Sequence, residues 1–211
     1  MKSPIIPSSD IFRKAIEEYS RIYEITECLY IGTMKEFAKK ELDKLTEIDA
    51  KRILEPFLIT WGRMSRILGK NGCDIVRLKI IELSDKLEKY RYNNLEDFNI
   101  NEEEKHLVEV FNDIKNTKAT TRDIGQTATS KILHIINPQL FPMWDTKIRI
   151  KFGLYYGSAS DYIDFMTETK RWLSSDELKH ELEGLSKKYQ KSKLKILDQY
   201  NWYDAWQKEP T

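Results

Sequence analysis

Asp145 has the clearest chemical setting in the chain. It follows Phe141-Pro142-Met143-Trp144 and opens an amphipathic stretch, where a carboxylate caps a helix by accepting from amides near Lys147 or Ile148. A carboxylate held at a cleft mouth can also stabilise a cation that develops during bond breaking. Upstream, Lys115, Lys118 and Arg122 alternate with Thr117, Thr120 and Thr121 before Ile124-Gly125. A glycine ahead of a helix lets another backbone come close, and the free first-turn amides can bind phosphate. Thr127 opens that helix, and Lys131 stands one turn later on the same face, where its amine can reach a shared cavity. Each residue also has a plainer reading: a helix cap, a loop-to-helix junction and a solvated lysine.

Aromatic residues supply candidate walls for a pocket. Phe141 and Trp144 flank Asp145, and Trp61 sits beside Gly62 with Arg63 and Arg66 nearby. An indole can stack on a flat ring while an arginine holds phosphate; core packing is the alternative for all three. His134 reads as hydrogen-bonded packing. His106, His134 and His180 show no metal-ligand spacing, so neither metal nor cofactor is expected.

These residues must be carried by helices. Ser8-Ser9-Asp10 offers caps for a helix to about Glu24, followed by Met34–Leu45, a Thr46 capping box, and Phe57–Leu68 closed by Gly69-Lys70-Asn71-Gly72. Asp74 is expected to cap a long helix to Tyr90, with a loop over 91–100. Later helices are predicted at Glu102–Lys115, Thr127–Ile136, Asp145–Phe152, Ser158–Leu173, Ser175–Tyr189 and Leu194–Trp206. Two prolines, Pro138 and Pro142, predict a stiff, extended connector delivering Asp145. Ile22–Ile31 is ambiguous, and no segment alternates convincingly as a strand. The fold is read as all-α.

Composition agrees with a globular chain. Of 211 residues, 40% are hydrophobic and 33% charged, and the net charge of +1 makes any polyanion site a local patch. Cys28 and Cys73 supply no disulfide framework. The N-terminus lacks the apolar core of a signal peptide, and no stretch approaches a membrane span, so a cytoplasmic protein without membrane partners is expected, nucleoid-associated if prokaryotic.

The run Ile124-Gly125, a helix, the connector and Trp144-Asp145 resembles the helix-hairpin-helix DNA glycosylase superfamily over about forty residues. Gly125 matches the second hairpin glycine of that family and Asp145 its catalytic aspartate. Asp123 stands where the first glycine is usual, Arg122 where proline is usual, and Thr127 where lyase members carry lysine. The resemblance implies a single domain, 1–211, in two lobes: about 33–136 with the hairpin-like element, and 1–32 with 137–211. It also implies a monomer that binds double-stranded DNA and hydrolyses the N-glycosidic bond of a damaged or mismatched base. Asp145 would then be catalytic, with Lys131 as a shifted amine. Lys115, Lys118, Thr121, Arg122, Gly125 and Thr127 would hold DNA, and Trp144, Phe141 and Trp61 the base. The alternatives are a DNA-binding relative without chemistry and a helical protein-interaction module.

Overall fold

The computed structural model describes residues 4–69 and 71–207, with the backbone alone at 207. The expected turn at 69–72 and the N-terminal reading therefore fall partly outside the described residues, at Lys70 and at 1–3. The described chain is helical, and its one β feature is an isolated antiparallel bridge between Lys118 and Asp123.

Helix α1 (Ser9–Ile22) forms where the sequence places its stripe, burying Phe12, Ala15, Ile16 and Tyr19. Ser8 is its N-cap without a side-chain cap bond. The ambiguous segment is α2 (Glu24–Phe37). The chain does not continue as a helix from Met34 to Leu45: it turns after Phe37, and a short 3₁₀ turn covers Leu42–Lys44. The Arg91 guanidinium takes the Ala38 and Lys40 carbonyls there, so those acceptors need no further helical turn.

Thr46 then makes the expected capping box with Asp49 at the start of α3 (Glu47–Asp49). The next stretch is a widened helix in two π-helical pieces, Ala50–Leu54 and Pro56–Trp61. Pro56 has no N–H to donate, and the Gly62 amide reaches back five residues to the Phe57 carbonyl at 2.7 Å. A Cβ at Gly62 would stand 2.7 Å from the Leu58 carbonyl oxygen, so this exit demands glycine. The single helix expected over 57–68 is thereby broken at Gly62-Arg63-Met64, with α4 (Ser65–Leu68) beyond it.

The long helix expected from Asp74 to Tyr90 is also two helices. α5 (Gly72–Glu82) begins earlier than Asp74, which pairs with Arg77 instead of capping. Leu83 leaves helical dihedrals and buries its side chain before α6 (Ser84–Glu88). Then α7 (Ile100–Lys115), a tight hairpin and α8 (Gly125–Ile136) follow one another. The hairpin is closed by Ala119 N–H to the Arg122 carbonyl and Ile124 N–H to the Thr117 carbonyl.

The prolyl connector is less extended than expected. Residues 138–140 are a turn folded on the Asn137 carbonyl, and only 141–145 run straight into α9 (Thr146–Lys151). α10 (Ala159–Leu173) starts at the expected Ser158 cap, while α11 (Lys179–Tyr189) starts later than Ser175 because 176–178 form a turn. α12 (Lys193–Gln207) lies against α1, α9, α10 and α11, and α7 packs between α8 and α10. One continuous apolar cluster runs from Phe12 to Tyr200, joining both stretches expected as lobes. Among the described residues no helix is long and apolar enough to cross a membrane.

Candidate functional site

Asp145 is the N-cap of α9. Its Oδ1 accepts from the Ile148 amide at 2.9 Å, as its position predicts, and its Oδ2 accepts from the Trp206 indole N–H at 3.3 Å. The approach to it is pinned from several sides. Ser130 Oγ bonds the Trp144 main chain, the Trp144 indole donates to the Gln126 carbonyl, and the Tyr162 hydroxyl donates to the Pro142 carbonyl. These bonds fix where the carboxylate looks.

It looks into a cavity of about 470 Å³, within the size range of small-ligand sites. Thr127, Lys131, Asp145 and Asp198 share its lining, and the aromatic walls come from α1, the π-helical segment and α12. Trp202 and Trp206 stack at 5.6 Å, and Trp202 meets Tyr19 and Tyr23 edge-on. Trp61 closes another side.

Lys131 is not a solvated surface lysine. Its ammonium donates to the Gly62 carbonyl at 2.7 Å and lies 5.7 Å from the Trp61 ring centre. Burial pushes its pKa down to about 8, against the pull of Asp198 and Asp145. The π-helical segment bears directly on the site, since the carbonyl of its C-cap, Gly62, is the one that holds this amine.

The remaining sequence-predicted residues divide. Trp61, Trp144, Thr127, Lys131 and Asp145 meet at the cavity, although Trp144 is itself buried. Phe141 does not reach it: fully buried, it gives its carbonyl to His134 Nδ1 at 2.7 Å. His134 also accepts from the Tyr30 hydroxyl, and burial pushes its pKa down to about 3, so this histidine is neutral packing. Lys118, Thr121 and Arg122 are exposed on the hairpin, with Lys115 half-buried beside it. Lys118 is paired to Asp123 at 2.7 Å, which leaves Lys115 and Arg122 as the hairpin's other cations. Gly125 turns the chain into α8 with φ +73°, and the space over its Cα is open.

Sequence reasoning missed Asp198, Trp202 and Trp206. They repeat every four residues on α12, a helical stripe that could have marked one face. It also missed the buried ionic cluster behind the cavity. Glu27 takes Lys191 at 2.9 Å, Lys195 at 3.5 Å, the Gln199 amide at 2.8 Å and the Trp61 indole at 3.3 Å. Burial alone would raise the Glu27 carboxyl, but Lys195 and Lys191 hold it down at about 2. Both cysteines are free, Cys28 exposed and Cys73 buried, and no cluster fit for a metal occurs among the described residues. No protein-family model matches the chain, and no curated protein or solved structure matches it.

Proposed function

We propose that this chain is a DNA-binding hydrolase that receives a damaged or mismatched base in the aromatic cavity and cleaves its N-glycosidic bond. The observation that carries the reading is Asp145, fixed by the Ile148 amide and opening on a cavity with aromatic walls and a half-buried amine. The helix, hairpin and helix of α7 and α8 support it further, because Gly125 and the uncapped start of α8 are open to a phosphate. An extruded nucleotide would place its base among Trp61, Trp202 and Tyr23. Asp145 stabilises the cationic sugar as the C1′–N bond breaks and its electron pair leaves with the base. Water adds to C1′, giving an abasic sugar and a protonated free base.

A second reading is favoured by Lys131 itself. An amine with a pKa of about 8 is neutral in about a tenth of molecules at pH 7, enough to attack C1′ and expel the base with its bonding pair. The C1′–O4′ bond then opens, its oxygen takes the amine's proton, and a Schiff base is left. Incubation with duplexes that each carry one damaged or mismatched pair, followed by alkali, tests both. Strand breaks at one lesion are expected. Borohydride then separates the readings, since only the amine route leaves a covalent adduct, which Lys131→Gln removes. No breaks with any lesion would overturn both.

A further inference from the structure

The ionic cluster behind the cavity has one member that reaches it. Lys195 is fully buried and pairs with Asp198 at 2.9 Å and Glu27 at 3.5 Å, its ammonium 4.6 Å from the Trp61 ring centre. Glu27 and Lys191 complete the group, so two carboxylates and two ammonium groups lie together with balanced charge. A buried ionic group of this kind is often no more stabilising than an apolar replacement, so its stabilising effect alone does not explain its position. Asp198 alone of the four lines the cavity, with 13% of its side chain accessible.

Lys131 is the cavity's amine, and charged groups face it from several elements. Asp198 and Lys195 come from α12, Asp145 from the start of α9, and Arg63 from the turn after the π-helical segment. Lys131 closes on neither carboxylate and gives its hydrogen bond to the Gly62 carbonyl. Its charge state is therefore free to respond to the carboxylates across the cavity.

We propose that Asp198 is a positioning residue that sets the proton on Lys131, held in place for that role by Lys195 and Glu27. The Asp198 carboxylate stabilises the Lys131 ammonium from across the shared cavity, so the amine keeps its proton to a higher pH than it would without that charge. The inference rests on reading this cavity as the reaction site, but its test does not need any base to be released.

The test follows trinitrobenzenesulfonate labelling of Lys131 in the full chain against pH, read by peptide mass mapping. The wild-type midpoint is expected near pH 8. Asp198→Asn removes the larger of the two carboxylate attractions and lowers that midpoint by about one unit, so labelling at pH 7 rises several-fold. Asp145→Asn is expected to lower it less. The pair Asp198→Asn with Lys195→Met keeps the cluster neutral should the single variant fold poorly, and is expected to show a smaller fall, because it also removes the Lys195 charge that disfavours the ammonium. An unmoved midpoint in both Asp198 variants would overturn the proposal. If the midpoint falls yet no lesion is cleaved, the repair reading fails and the coupling stands. Cleavage with an unmoved midpoint removes the coupling alone.

Discussion

Asp145→Asn is expected to reduce base release by about 100-fold or more in single-turnover assays, with duplex affinity and melting temperature unchanged. Asparagine has the same shape and is as good an N-cap as aspartate, so its carbonyl oxygen can still accept from the Ile148 amide. Helix α9 keeps its start, and the NH2 that replaces Oδ2 leaves the exposed Trp206 indole to donate to solvent instead. What disappears is the negative charge. Removing one preorganised electrostatic stabiliser typically costs about 10²–10³ in rate, or about 3–4 kcal/mol of transition-state stabilisation. Asp145→Ala provides the contrast: it removes the charge and the cap together, and should also cost about 1 kcal/mol of stability. Activity equal to wild type in the asparagine variant would end the mechanism built on this carboxylate.

The second large effect falls on stability. Glu27→Leu should lower the unfolding free energy by about 3–5 kcal/mol, because it strands the Lys191 ammonium without its carboxylate and leaves Lys195 with Asp198 alone. Urea unfolding at pH 7 measures this, and a loss under about 1 kcal/mol would show that the cluster is not energetically coupled. An exposed pair such as Lys187 with Glu183 should cost no more than about 0.5 kcal/mol when broken. The same carboxylate predicts an acid response. Its folded pKa of about 2 lies below the ordinary value of 4.5, so its contribution is complete above pH 4.5. That contribution is lost as pH falls from 4.5 through 2, a slope the leucine variant should lack.

The same cluster explains why α2 was hard to read from sequence. Its buried stripe is Glu27, Tyr30, Thr33 and Phe37, so a carboxylate and a hydroxyl occupy positions where periodicity looks for apolar residues. Where the buried face is apolar, as in α1 and α7, the helix was legible and its bounds were close. The breaks at Leu83 and Gly62 arise from tertiary packing and from the missing N–H of Pro56, which reach beyond a local window. At the site, Asp145 and its capping amide were legible because a cap is local chemistry. Lys131 was placed on the right helix face, but its burial depends on the Gly62 carbonyl, 69 positions away in the chain. Asp198, Trp202 and Trp206 carried a four-residue repeat, yet the groups around them lie on α1, α8 and α9, so their spacing alone could not say what they face.

The most direct test is to watch the tryptophans while DNA binds. The chain has five, and their ¹⁵N-labelled indole signals report separately on the cavity and the core. Duplexes bearing one damaged or mismatched pair should include at least one that shifts Trp61, Trp202 and Trp206 beyond what an undamaged duplex does. Trp172, buried away from the cavity, should not move. If every duplex in the set leaves those three signals where undamaged DNA leaves them, no base enters this cavity and the account is contradicted.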